Sequence, residues 1–371
     1  MKRLRPSSPI RCSARFPPRA AGVLSAGFIP RGLFLLAPYL VSACSATAWA
    51  KPAEAEAIRA LETWSGVFGG RVEKFHFSVD VPRATSGTMA WEFRSGEQRI
   101  SQRQFPVETR PGKSTEFEVA LEIPPIQRNL LVESELVLRY DATNPALVLK
   151  KPVRIFPDDP FVDRREWLRD LKISLFDPLG RTEEVFQVAK IPFVQVRNLE
   201  SLAGAREGMV IVGEGVSFRD FPAVRFAMVE AARHGVPVLC LAPAVGGEFP
   251  VPGAENSNGV FPAELQFRRQ EIIKNLDRRL DWRAWPPDGK VMACGIRLKA
   301  DRNQVVSAFA EDSEGWAWLE VNYPVPRGKL IVCSFAVIER WNHGPSPRYL
   351  FRGMLEKLSG SDNSPKSVSE R

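Results

Sequence analysis

Along this chain the spacing of apolar residues changes period twice, and those changes mark out its organisation. Between residues 72 and 157 apolar and polar side chains alternate. The stretches 72–81, 88–93, 114–123, 130–140 and 146–156 follow that pattern, interrupted by Ser86-Gly87, Pro111-Gly112, Pro124-Pro125 and Asn144-Pro145. A period of two places one face of each strand in a core and the other in water. Short strands at near-regular spacing with turn residues between them predict an antiparallel β-sandwich. Ahead of it, residues 52–64, rich in Ala and Glu, predict a short helix. After it, Pro157-Asp158-Asp159-Pro160 predicts a stiff linker.

From Asp170 strands and helices alternate. Residues 171–176 predict a strand that ends at Asp177-Pro178-Leu179-Gly180, and Thr182 is placed to cap a short helix carrying Glu183 and Glu184. Residues 193–196 predict a second strand. Met209-Val210-Ile211-Val212 predicts a third, running into Gly213-Glu214-Gly215. A helix over about 221–234 follows, with Pro222 in its first turn, Val224, Met228 and Ala231 as its apolar stripe, and Gly235 as its C-cap. Residues 237–241 are again apolar. This order predicts a mostly parallel sheet with helices on its faces. Beyond it, residues 242–262 predict a Gly- and Pro-rich loop, and 263–282 a basic amphipathic helix. Strands are expected at 291–298, 305–310, 316–321 and 330–337. A last helix is expected over 346–358, with a polar, disordered tail from 359 to 371.

Length and charge refine this picture. At 371 residues the chain has room for about two domains of roughly 150 residues. The net charge of +8 is concentrated at the start: residues 1–50 hold seven Lys and Arg and no acid, leaving 8 − 7 = +1 for the rest. A nearly neutral body has no electrostatic footprint for polyphosphate, which excludes nucleic acid as a partner. The basic leader runs into the apolar stretch 32–43, too short to span a bilayer comfortably, and Ala48-Trp49-Ala50 offers a small-x-small cleavage site. Residues 1–50 therefore predict an export signal. Val41-Ser42-Ala43-Cys44 also has the form of a bacterial lipobox, which makes Cys44 a lipidation candidate. Cys240, Cys294 and Cys333 remain in the mature chain, an odd number without metal-ligand spacing, so a disulfide framework is not indicated.

In an open α/β sheet, ligands and chemistry sit beyond the carboxyl ends of the parallel strands. Here that means the neighbourhoods of Gly213, Glu214 and Gly215 and of residues 242–246. Glu214, between two glycines at a strand end, is placed either to act as an acid or to be a solvated loop residue. Asp177 ends the first strand and is a second acid at the same edge. His343, in Trp341-Asn342-His343-Gly344 before the last helix, has an anion-binding or a plain surface reading. Gly213, Glu214, Gly215, Trp341 and His343 together form the ligand-pocket candidates. His234 ends a helix, where the dipole favours a cation without any site, and His76 stands alone in a sandwich strand. No metal site and no cofactor is expected from three scattered histidines. Trp282, Trp285, Trp316, Trp318 and Trp341 gather in the last third. An exposed pair of them would stack on sugar rings, whereas a shared strand face such as that of Trp316 and Trp318 also fits a core. Interspersed acids give the basic residues 268–283 the pattern of a solvated helix face.

The strand and loop Val210-Ile211-Val212-Gly213-Glu214-Gly215-Val216, with the closing run Gly328-Lys329-Leu330-Ile331-Val332-Cys333-Ser334-Phe335, resembles the class I glutamine-amidotransferase-like fold. Glu339-Arg340-Trp341 and the helix bearing Arg348, Leu350 and Leu355 follow that run. The match is to the versions appended to secreted beta-galactosidase-type glycoside hydrolases, behind a β-sandwich module. The resemblance implies an immunoglobulin-like antiparallel sandwich over 68–157 and a flavodoxin-like, three-layer α/β domain over 168–358. It also marks departures. The family places a nucleophilic Cys on a tight Gly-x-Cys-x-Gly turn, a position that falls on about Ala242 here, while Cys240 lies two residues earlier inside the strand. The family's His-Pro-Glu partner is replaced by Ala336-Val337-Ile338-Glu339. A thiol without a base stays protonated at neutral pH, so amidotransferase activity is not expected.

The resulting expectation is an exported, non-catalytic accessory or binding protein of the bacterial envelope, periplasmic or extracellular, with a carbohydrate or protein partner. It would touch the membrane only through its signal or a lipid on Cys44. The rival expectation is a glycan hydrolase using Glu214 or Asp177. Mass spectrometry of the protein from its native host is expected to find a mature N-terminus at Lys51 or at lipidated Cys44. An intact Met1 on a cytosolic protein would discard export.

Overall fold

The computed structural model describes residues 57–126, 130–244, 247–250, 264–268, 272–280, 296–299, 318–323 and 327–360, all within the compact unit Ala53–Arg371. The expected export signal, Cys44, Cys294, Trp282, Trp285, Trp316, the strand at 305–310 and the tail after 360 lie outside the described residues. The described chain is a mostly β, multi-sheet α/β protein.

The strands of the first half are β1 (Ala57–Ala60), β2 (Gly66–Phe68), β3 (Val72–Asp80), β4 (Thr85–Ser95), β5 (Gln98–Thr109), β6 (Thr115–Glu122), β7 (Val132–Tyr140) and β8 (Leu147–Phe156). They form a three-stranded sheet, β1-β3-β6, and a five-stranded sheet, β2-β8-β7-β4-β5. Alternation is what joins them: Phe75, Phe77 and Val79 of β3 share one buried cluster with Trp91 and Phe93 of β4 and Leu138 of β7. Neighbouring strands within each sheet are antiparallel except the short β2, which runs parallel to β8. The helix expected over 52–64 is corrected to a strand at β1. Ile58 stands opposite Val79 in the ladder and is buried, so pairing and burial override a modest helix preference.

A charged residue occupies a core position of β8. Lys151 of β8 lies on the same face as Val153 and Ile155 and is only 5% exposed. Its ammonium donates to the carbonyls of Glu62 at 2.9 Å and Trp64 at 2.8 Å, and sits 5.2 Å from the ring centre of Phe75. Carbonyl oxygens and aromatic faces replace the water that a buried cation gives up.

The second half contains α1 (Arg165–Asp170), β9 (Ile173–Phe176), α2 (Arg181–Val188), β10 (Val194–Gln195), α3 (Leu199–Ala203), β11 (Met209–Val212), α4 (Val224–Arg233) and β12 (Val238–Leu241). After these come β13 (Gly247–Pro250), β14 (Glu264–Arg268), α5 (Ile272–Leu276), β15 (Ile296–Lys299), β16 (Trp318–Asn322), β17 (Lys329–Cys333) and α6 (Pro345–Ser359). Seven strands form one sheet in the order β10-β9-β11-β12-β17-β16-β14, with β10 through β17 parallel and β16 and β14 antiparallel at one side. Both faces are covered. Along β11, Met209 and Ile211 enter one buried cluster with α1, α2, α5 and α6, while Val210 and Val212 enter the other with α3 and α4. A strand buried on both sides is apolar throughout, as Met209–Val212 is. Cys240 and Cys333 fall in opposite clusters and are not joined to each other.

Two expectations in the last third are corrected. The basic helix over 263–282 is instead a strand, β14, followed by the single turn of α5. Five residues of β14 pair with β16, and that ladder satisfies a backbone edge that a helix would leave open. The loop over 242–262 contains β13, which pairs in parallel with β15.

The two halves are fastened at α6. Arg348 donates to the carbonyls of Asp158 at 2.5 Å and Trp341 at 2.9 Å and to the Asn342 side chain at 2.8 Å. Tyr349 donates to Pro157 O at 3.1 Å and Arg352 to Pro160 O at 2.8 Å. The linker residues 157–160 are thus gripped by three successive contacts from one helix face. Phe68 adds its ring beneath the guanidinium groups of Arg71 and Arg348, both 4.5 Å from its centre, and Arg71 pairs with Asp158. Arg348→Ala is expected to lower unfolding stability by about 2–4 kcal/mol, because two carbonyls lose a charged donor in a buried setting. Urea unfolding of the full chain measures this, and Arg348→Lys should recover only part of the loss.

Candidate functional site

The carboxyl edge of the parallel strands is where the sequence places a site, and two carboxylates stand there. Asp177 follows β9 and is 4% exposed. Its Oδ2 accepts from the backbone N–H of Thr182 at 2.7 Å and of Glu183 at 2.9 Å. These are early amides of α2, so Asp177 caps that helix from five residues upstream. The capping role expected of Thr182 is corrected accordingly. The residue preceding α2 is Gly180, in the left-handed region at φ 73°, and Thr182 lies inside the helix. Its hydroxyl, fully buried, instead accepts the Glu214 N–H at 2.9 Å. The Oδ1 atom of Asp177 has no hydrogen-bond partner and packs under Gly213.

Glu214 follows β11 and is 5% exposed, which replaces its solvated-loop reading by a buried one. Its Oε2 accepts from Ile338 N at 2.7 Å and its Oε1 from Glu339 N at 2.9 Å. Burial pushes this carboxyl up to about 7. The two N–H donors and Arg181 act against that rise, and the charge of Glu339 adds to it. An uncharged acid is favoured in a dry site because desolvation penalises only the charged form.

The loop amides are spent as well. Gly213 N donates to Phe176 O at 2.9 Å and Gly215 N to Ala242 O at 2.9 Å. With Glu214 N on Thr182, none of these three N–H groups is left to cradle an anion or an oxyanion. Gly215 adopts φ 85°, which the turn requires of it. The structure therefore brings Gly213, Glu214, Gly215 and the turn after β17 together, and closes them on one another.

The remaining candidates fall elsewhere. Trp341 belongs to that same turn, but it is 5% exposed, with its ring 5.7 Å from Phe351 and 5.6 Å from the Arg348 guanidinium. It has no open face for a sugar. Trp318 is fully buried and donates to Glu320 at 3.3 Å. His343 is exposed on the loop before α6. His234 is exposed at the end of α4, and His76 contacts Glu62 at 2.6 Å and Glu118 at 3.5 Å. Cys240 is a buried strand residue. The Cys333 thiol is pushed up to about 12 by burial, so it is no nucleophile at neutral pH. Among the described residues, no group of three or more His, Cys, Asp or Glu is arranged to hold a metal ion, and no helix is long and apolar enough to cross a membrane. Sequence reasoning missed Thr182 as the bridge between the two acids. A Thr two residues past a left-handed Gly, on a helix starting beside the loop of the next strand but one, was its only signal.

No protein-family description matches the chain, and neither does any curated protein. Among solved structures it is similar to the sporulation control protein Spo0M of Bacillus subtilis, at 12% identity and a TM-score of 0.20, over 35% of this chain and 56% of that one. It is similar to a family 123 glycoside hydrolase from Clostridium perfringens at 9% identity and 0.22, over 50% of this chain and 38% of the hydrolase. A family 2 beta-glucuronidase aligns at 10% identity and 0.21, over 53% of this chain and 21% of that chain. The chain thus spans little more than half of the first of these proteins and less of the other two. At TM-scores this low, nothing of their activities transfers to it.

A methyl carbon at Gly213 would lie 2.7 Å from Cγ and Oδ1 of Asp177, whereas one at Gly344 meets nothing within 4 Å. Gly213→Ala is therefore expected to cost roughly 1–3 kcal/mol through overpacking, read as a lowered Tm, while Gly344→Ala stays near wild type.

Proposed function

We propose that this chain is an exported, non-catalytic accessory protein of the bacterial cell envelope that binds a carbohydrate or a protein partner. The observation that supports it is the closure of the carboxyl edge. Glu214, Asp177 and the amides of residues 213–215 all hold other parts of the chain. A group that moves protons in catalysis has to face the reacting atoms within hydrogen-bond reach. On this reading the second half is a degenerate, amidotransferase-like three-layer domain over 168–358. It sits behind an immunoglobulin-like sandwich over 68–157, with residues 1–50 as the export signal. The order β10-β9-β11-β12-β17, which in chain sequence is second, first, third, fourth, fifth, is in keeping with a flavodoxin-like arrangement.

One observation favours the rival hydrolase: a carboxyl held near neutral is the form of a general acid. Glycan hydrolysis separates the two readings. The wild-type protein is expected to cleave nothing in a panel of polysaccharides and aryl glycosides while retaining at least one of them, or an envelope protein, in a binding assay. Cleavage that disappears in Glu214→Gln would overturn the non-catalytic reading.

A further inference from the structure

Glu214 joins two segments more than a hundred residues apart, the end of β11 and the turn after β17. Within that turn Arg340 N donates to Ala336 O and Trp341 N to Ile338 O, both at 3.1 Å, and the Trp341 carbonyl then receives Arg348. The Glu214 carboxyl is thus a polar tie between the end of β11 and the strap over residues 337–341, beside the packing of Val337, Ile338 and Trp341 in the core.

Its surroundings decide which charge state suits it. From the start of α2, Arg181 favours the carboxylate. From the strap itself, Glu339 opposes it. From β17 comes the Cys333 thiol, which is neutral. From the end of β9, Asp177 lies across Gly213 with one oxygen on the amides of α2. Protonation weakens one of the two hydrogen bonds to the strap. It also removes the cost of keeping a charge out of water, and burial is the larger of these effects here.

We propose that Glu214 is a proton-controlled catch: protonated, it stays buried and holds the strap over residues 337–341 on the end of β11, and ionised, it is drawn toward water and lets the strap lift. The catch works whether or not the protein is exported or catalytic. The sign follows from linkage. The buried carboxyl titrates at about 7 and a hydrated one at its ordinary 4.5. The closed state therefore binds the proton more tightly, and opening grows as pH rises between those values, by up to about tenfold per unit. Above about 7 both states are ionised and the effect is level.

Amide exchange on the full chain tests it, with protection factors at Ile338 and Glu339 corrected for the intrinsic pH dependence of exchange. Their protection is expected to fall several-fold per unit from about pH 5 to 7 and then level off, while the β3–β6 ladder stays constant. In Glu214→Gln the slope should vanish. Flat protection in the wild type, or an unchanged slope in the variant, overturns the proposal. Should the variant not fold, NMR titration of the isotope-labelled Glu214 carboxyl in the wild type decides. A midpoint near 7 that tracks the loss of protection supports the catch, and one near 4.5 overturns it.

Discussion

Buried polar groups without water must find partners inside the chain, and that requirement organises both halves of this protein. At the carboxyl edge it draws the end of β9, the start of α2, the loop after β11 and the turn after β17 into one knot, through Asp177, Thr182 and Glu214. At the junction it lets α6 take the carbonyls of Pro157, Asp158 and Pro160, which have no strand partner of their own in the linker. Apolar burial supplies the bulk of the folding energy, but it is indifferent to direction. The hydrogen bonds to these few groups are what select one arrangement of loops over the neighbouring ones.

At the edge of a parallel α/β sheet, ordinarily the place for a ligand, the same knot occupies the carboxylates of Asp177 and Glu214. An acid that caps a helix and an acid that holds a turn are both well placed for catalysis by position and badly placed by orientation. The glycines serve that closure: Gly213 leaves room for Asp177, and Gly215 bends the loop to reach Ala242.

Much of this was legible in the chain. The alternation along β3, β4, β7 and β8 and the unbroken apolar run of β11 each report their burial directly, because a core exposes its period in the sequence. Positions set by distant pairing were not legible. β1 and β14 carry residues compatible with a helix and became strands only because β3 and β16 offered them a ladder. Glu214 was visible as a candidate by its place after β11. Its burial was not, since the lid over it comes from residues more than a hundred positions later. Trp341 carries a ring of the kind that contacts ligands, yet that ring packs against Phe351 and Arg348 of α6.

The lysine in the sandwich core sets where that half of the molecule can be cut. A fragment starting at residue 68, where the regular alternation suggests a boundary, would keep Lys151 and lose Glu62 and Trp64, whose carbonyls neutralise its isolation. The ammonium would then face Phe75 with no oxygen acceptor from that segment. For excision or transplantation of the sandwich, the segment carrying Glu62 and Trp64 has to stay with it, together with β1, which forms one edge of the β1-β3-β6 sheet.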